Sequence, residues 1–318
     1  MRYKDFGKTG LRASVISVGT WGIGGDGWGG ADTDSSIGAI RAMIDNGVNL
    51  IDTAPAYGFG HAERVAGRAI KGYDRSKLFI STKVGLTWPD GQEMFKNASR
   101  ANIMREIDVS LKNLNTDYID LYIVHWPDID TKAPASETFG ALSELKDRGK
   151  IRFIGVSNYR IKQMEEGINF APIDADQPQH SMICGKNEET MKWAHDHGIA
   201  NMAYGPLGAG ILTGHYRKLP TFEPDDWRIL FYPFFKEPLF SRSMELLKTL
   251  DAIAADHECP VSHVTINWSA QHPLVDTALL GVRSAKHAEE NCAATEWSLS
   301  DDEIGRINAA IDRTVRKE

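Results

Sequence analysis

Eight times along 318 residues a short apolar run is followed by a stretch with helical periodicity, and this alternation constrains the fold more than any single residue. The runs begin at Val15, Val48, Leu78, Tyr118, Ile151, Ala175, Asn201 and Thr277. Between them lie helical faces such as Ile37, Ile40 and Ile44 behind an expected Asp34 cap, or Ile103, Ile107, Leu111 and Leu114. Asn46-Gly47, Gly149 and Gly198 read as helix stops. Eight β/α units without a break in composition predict an α/β fold, a single (β/α)8 barrel over residues 1–318. An open doubly wound sheet is the alternative. Length alone, at about 150 residues per domain, would suggest two domains, a prior that barrels of this size defeat.

The longest connection, residues 205–276, separates the seventh and eighth runs and is rich in Pro and aromatics over residues 219–238, as lids often are. Ser300 is placed to cap a C-terminal helix carrying Ile304, Ile307 and Ile311 on one face.

Hydrophobic residues at 42% supply a sizeable core, and 36 basic against 43 acidic residues give a net charge of −7. With no Lys/Arg block, nucleic acid is not an expected partner. Nor does any apolar run reach the roughly 18 residues a membrane helix needs, so no membrane partner and a cytoplasmic location are expected. Cys184, Cys259 and Cys292 are too few and too far apart for a disulfide framework or a thiol zinc site. His195 and His197 fall on different faces of a helix, and no metal is expected.

Gly22, Gly24 and Gly27 match G-x-G-x-x-G after a strand. The next helix begins only near Asp34, however, and Gly29 and Gly30 make this a glycine-rich loop in which the spacing arises easily. The dinucleotide fingerprint is therefore rejected.

A stronger signal lies at successive strand ends. Asp52 closes the second run, Lys83 the third and His125 the fourth, with Tyr57 five residues beyond Asp52. In a barrel all strand C-termini open onto one face, where catalytic groups gather. A lysine cation beside a tyrosine would lower its pKa from near 10, an aspartate would hold the lysine charged, and a histidine could orient a carbonyl oxygen.

Asp52-Thr-Ala-Pro-Ala-Tyr57-Gly, Ile80-Ser-Thr-Lys83, Leu121-Tyr-Ile-Val-His125-Trp-Pro and Ile154-Gly-Val-Ser-Asn158 together resemble the aldo-keto reductases, and the resemblance extends over essentially the whole chain. It implies a (β/α)8 barrel binding a nicotinamide cofactor without a Rossmann fold. Tyr57 would be the general acid/base, tuned by Lys83 and Asp52, with His125 positioning the carbonyl for hydride transfer. For the cofactor it implies Gly19, Thr20, Trp21 and Asp52 at the early strand ends, and Ser157, Asn158 and Gln177 on the carboxamide. It further implies Tyr204, Gly205 and Leu207 beside the pyrophosphate, and Gly281, Arg283, Ser284, His287, Glu290 and Asn291 around the adenosine end. Arg283 and Ser284 suit a 2′-phosphate, which favours NADP(H), with NAD(H) left open.

Two departures stand out. His180 follows Gln177 where the resemblance leads one to expect a tyrosine stacking on the nicotinamide, and His287 replaces a more usual Arg or Gln. Trp21, Tyr57, His125, Trp88 and Trp126 are expected to line a substrate pocket, with Trp227 on the long loop as a wall. The expected partner is a small carbonyl or alcohol, including sugars; homo-oligomerisation is left open. Two competing readings are a Schiff-base lyase using Lys83 and a nicotinamide-binding regulatory subunit resembling potassium-channel β subunits.

Overall fold

The computed structural model describes residues 1–25, 32–88, 93–223, 226, 228 and 231–316. Trp227, Gly27, Gly29 and Gly30 fall outside them. Two short strands, β1 (Tyr3–Asp5) and β2 (Arg12–Ser14), form an antiparallel hairpin that the sequence pattern did not reveal. The barrel strands are β3 (Ile16–Gly19), β4 (Leu50–Asp52), β5 (Phe79–Val84), β8 (Ile119–Val124), β9 (Ile151–Ser157), β10 (Ala175–Gln177), β11 (Ala200–Tyr204) and β12 (Thr277–Gly281). All eight pair in parallel and close into a barrel as β12 meets β3, which excludes the open sheet. The remaining strands, β6 (Leu86–Thr87) and β7 (Phe95–Lys96), make a small hairpin beyond β5.

Helices α1 (Thr33–Asp45), α2 (His61–Ile70), α3 (Arg100–Leu114), α4 (Ala135–Asp147), α5 (Ile161–Ile168) and α6 (Glu188–Asp196) alternate with the strands. After β11 the chain carries α7 (Leu239–Asp256) and α8 (Val261–Gln271) before β12, then α9 (Ala285–Ala293) and α10 (Asp301–Thr314). Ser300 caps α10 through a reciprocal box with Glu303, as expected. The cap of α1 is Asp32 rather than Asp34, and its carboxylate accepts the Ser35 amide at 2.7 Å. Asp34 instead lies in the first turn, where its charge still complements the helix dipole.

Strand periodicity sorts the residues of β5 into two layers. Ile80 and Val84 join the large apolar layer between barrel and helices, whereas Phe79 packs inside with Leu50, Leu121, Ile123 and Met202. Phe6, from the N-terminal hairpin turn, enters this interior cluster and meets Phe79 edge-on at 5.2 Å, closing that end. Continuing along the inward face of β5 past Phe79, the next two positions are Ser81 and Lys83. The interior thus changes from apolar to polar toward the strand C-termini.

Candidate active site

Asp52 is the last residue of β4 and faces inward like Leu50, two residues before it. Its carboxylate is 2% exposed and fully engaged: Lys83 Nζ donates to Oδ2 at 2.6 Å, while Ser81 Oγ and Gln177 Nε2 donate to Oδ1 at 3.0 and 2.8 Å. Lys83, wholly buried, also donates to the Thr53 carbonyl at 3.0 Å. A buried ion pair survives only when its remaining hydrogen-bonding capacity is met, and these donors meet it. Ser81 and Thr53 escaped the sequence reading; the i, i+2 spacing of Ser81 from Lys83 was the signal that could have found the serine.

Tyr57 stands above this pair on the loop after β4. Lys83 Nζ lies 5.0 Å from the centre of its ring, His125 meets it edge-on at 5.8 Å, and Trp21 stacks against it at 6.3 Å. Burial, reinforced by Asp52, pushes the Tyr57 hydroxyl well above its ordinary pKa, and so reverses the expectation that Lys83 would lower it. Lys83 is ion-paired with Asp52, and at the phenol burial and that carboxylate prevail. Burial, with Lys83 nearby, holds His125 well below its ordinary value, so it is neutral at physiological pH. The pair above the ion pair is therefore an undissociated phenol and an uncharged imidazole, both hydrogen-bond donors suited to a carbonyl oxygen.

The tyrosine loop is seated by a backbone contact. A Cβ on Gly24 would lie 2.8 Å from the Gly58 amide nitrogen and from the Tyr57 carbonyl carbon, and one on Gly58 would lie 2.2 Å from the Gly24 carbonyl oxygen. Gly58 is also in the left-handed region at φ +64°. The misleading glycine motif thus has a packing reason in its second glycine. Thr20 ties the same corner to β4: its amide and hydroxyl both donate to the Asp52 carbonyl. Behind β5, Glu63 accepts from Thr82 Oγ1 at 2.7 Å and Glu106 accepts the Gly85 amide at 3.1 Å, so two buried carboxylates hold the strand that carries Lys83. Burial raises the Glu106 carboxyl to about 7.

Ser157, Asn158, Gln177 and Tyr204 form one connected set. Ser157 Oγ donates to the Gln177 carbonyl, Asn158 Nδ2 donates to Ser157 Oγ and to the His125 carbonyl, and the Tyr204 hydroxyl donates to Asn158 Oδ1. Asn158 sits at φ +62°, a conformation its short amide tolerates. Amide and hydroxyl groups clustered at strand ends beside a tyrosine ring fit a carboxamide-bearing aromatic ring.

His180 is placed elsewhere. The chain beyond β10 continues its parallel pairing, with Gln179 bridging Tyr204, so a residue three positions past inward-facing Gln177 points outward. Its ring stacks on Trp268 of α8 at 5.6 Å, away from Asp52, Tyr57, Lys83 and His125, which corrects its assignment to the nicotinamide. The inward aromatic at this end of the barrel is Tyr204.

Beyond the barrel rim, Gly205, Gly208 and Gly210 have positive φ in the turn that includes Leu207, a backbone shape that can present amides to an anion. Gly281 ends β12, and Arg283 follows it beside Gly22, where a Cβ would come within 3.4 Å of the guanidinium. Ser284 caps α9 by accepting the His287 amide, so the positive end of that helix opens next to Arg283. Arginine plus helix terminus is a donor set that fits a phosphate. His287 and Glu290 are exposed on α9, with Lys286 3.8 Å from Glu290, while Asn291 is buried.

Of the expected substrate-pocket aromatics, Trp21 and Tyr57 come together with His125. Trp88 packs edge-on against Phe59 at 5.2 Å, and Trp126 is 36% exposed directly after His125. Trp227 lies outside the described residues. Its loop nevertheless reaches the site through Phe231 and Tyr232, which meet Trp21 at 5.7 and 6.3 Å. Phe231 and Tyr232 belong to the aromatic stretch that the sequence marked as a lid, whereas Phe59 was not singled out.

A family model described as the aldo/keto reductase family matches residues 15–312. The chain is 42% identical to aldo-keto reductase YhdN of Bacillus subtilis, over 99% of this chain and 95% of that protein. It is 31% identical to the NADH-specific methylglyoxal reductase of Escherichia coli, over 95% of each. Among solved structures, a glycerol dehydrogenase from Gluconobacter oxydans superposes with a TM-score of 0.89 at 33% identity, covering 99% of this chain and 97% of that one.

Proposed function

Because the chain belongs to the aldo/keto reductase family, whose members use nicotinamide cofactors to reduce carbonyls, we propose that it interconverts a small carbonyl and its alcohol with Tyr57 as proton donor and NADP(H) as preferred cofactor. The observation that carries this reading is the floor of the site: a protonated phenol and a neutral imidazole side by side over a saturated Lys83–Asp52 pair. A bound reduced nicotinamide supplies the hydride. Tyr57 donates its proton to the carbonyl oxygen, and His125 fixes that oxygen with a hydrogen bond. Lys83, anchored by Asp52, faces the Tyr57 ring with a positive charge that stabilises the phenolate left behind.

Ser157, Asn158 and Gln177 are proposed to hold the carboxamide, and Tyr204 to supply the stacking face in place of His180. The Gly205–Leu207 turn would carry the pyrophosphate. NADP(H) preference rests on Arg283 beside the start of α9. Asp226 and Arg228, paired on the long loop and close enough to influence Arg283, bring that loop to the same end. Trp21, Trp88, Trp126 and Phe231 suit substrates with an apolar face, which a polyol, a sugar or an aromatic aldehyde can each present.

Purified chain mixed with NADPH and a panel of aldehydes, ketones and sugars should consume the reduced cofactor. Tyr57→Phe should lower kcat by roughly 10²- to 10⁴-fold while still binding NADPH. Because the tyrosine stays protonated and the histidine neutral, the reductive rate should be flat from about pH 6.5 to 9. Full turnover by Tyr57→Phe would overturn the mechanism.

A further inference from the structure

His180, displaced from the active site, has a setting that calls for a partner. The side chain is 0% exposed; among the described residues Nδ1 has no hydrogen-bond partner, and Nε2 has only a long approach to the Glu188 carboxylate. A buried ring with one nitrogen unpartnered and the other only weakly held is unusual unless something else binds there. Three chain segments converge on it. His180 comes from the connection after β10, Glu188 from the first residue of α6, and His272 from the C-cap of α8. Each offers a ligand atom, and these atoms lie within 4.8 Å of one another.

We propose that His180, Glu188 and His272 form a binding site for a divalent transition metal of the zinc class, independent of the catalytic centre. Two imidazoles and a carboxylate are a donor set that zinc accepts, with water completing a tetrahedron. Ligand atoms about 2.0–2.1 Å from such an ion stand roughly 3.3 Å apart. His180 Nε2 is already 3.5 Å from Glu188 Oε1, so this edge is in place and His272 has to close the remainder. Trp268 stacks on the His180 ring within 14° of parallel and holds its plane. His272 is half-buried at the C-cap of α8. Its Nδ1 accepts the Leu274 amide at 3.2 Å, so the ring ligates through its other nitrogen or releases that bond.

Arg316 also pairs with Glu188 Oε1 and with Asp312. Its side chain is 48% exposed and can leave toward solvent. The entering cation replaces its charge on Glu188. The bound ion would tie the β10–α6 connection to α8 and so brace the barrel wall near the long loop.

The test uses the full chain stripped with chelator. Titration with Zn²⁺ should load one ion per chain and raise Tm, and Co²⁺ should give the visible absorption of a four-coordinate site. Glu188→Gln and His272→Gln, at half-buried positions and checked for fold by circular dichroism, should each weaken Zn²⁺ binding by at least about tenfold. The exposed pair His195 and His197 provides the control, and His195→Ala/His197→Ala should bind as the unaltered chain does. Loading below about 0.1 ion per chain, or undiminished binding in both ligand variants, would overturn the site.

Discussion

The floor of the barrel mouth and its rim are built in opposite ways. The floor is made of strand residues: Asp52, Ser81, Lys83 and Gln177 have their polar groups bonded to one another within 3.0 Å, in a buried layer fixed by the pleat. The rim is made of loop residues: Phe59, Trp88, Trp126 and Phe231 touch through ring edges or stand partly exposed. Function divides along the same line. Proton transfer needs sub-ångström placement, which strands supply, while accommodation of different substrates needs surfaces that can change without disturbing the core.

The comparison breaks most sharply if the floor tolerates loss of a charge. Lys83→Met leaves Asp52 buried with only its two neutral donors, and removing one partner of a buried pair costs about 3–5 kcal/mol. Retention of Ser81 and Gln177 puts the expected loss near the lower end, read by urea unfolding. Turnover should fall along with it. Asp52→Asn combined with Lys83→Met should recover part of the stability but none of the activity, because the buried charge disappears while the tyrosine remains unsupported. A charge-neutral double variant no more stable than Lys83→Met would deny that the pair acts as a unit.

Between floor and rim lies the Gly24–Gly58 contact, and it tests whether the Tyr57 loop behaves as floor or as rim. Gly24 has helical φ and ψ of −55° and −29°, which alanine adopts freely, so Gly24→Ala acts through its Cβ alone. That atom would press on the backbone of Tyr57 and Gly58 at 2.8 Å and must displace it. The expected result is a drop in kcat of about 10- to 100-fold with Tm changed by only a few degrees. An unchanged kcat would mean that the loop finds its position through the Tyr57 side chain and not through this seat.

The same division decides what could be read from the sequence. The barrel, and the meeting of Asp52, Tyr57, Lys83 and His125 at its mouth, were legible because period-two burial and strand ends leave a local record: Leu50 and Asp52, or Phe79, Ser81 and Lys83, share a face by spacing alone. His180 was misread because a likeness of position was applied without that parity, although three residues from inward-facing Gln177 already reverses the face. The N-terminal hairpin was missed because three-residue strands carry too little pattern, and Asp32 because either aspartate suits the cap by composition. Phe59 left no signal, and the aromatic run of residues 219–238 announced a lid without saying that Phe231 would meet Trp21, since contacts between loops distant in sequence depend on the assembled barrel.

The smallest expected effect belongs to the rim. Phe231 is 54% exposed, and its ring meets Trp21 at 78° and 5.7 Å, a geometry worth about 0.5–1.5 kcal/mol. Phe231→Ala removes that edge without reaching Tyr57, because Tyr232 still lies against Trp21. KM for an aromatic or long-chain carbonyl should rise about 2- to 10-fold, with kcat and the KM of a two- or three-carbon substrate nearly unchanged. If kcat falls for every substrate instead, the loop belongs to the machinery that places the tyrosine, and the boundary between floor and rim moves outward to include it.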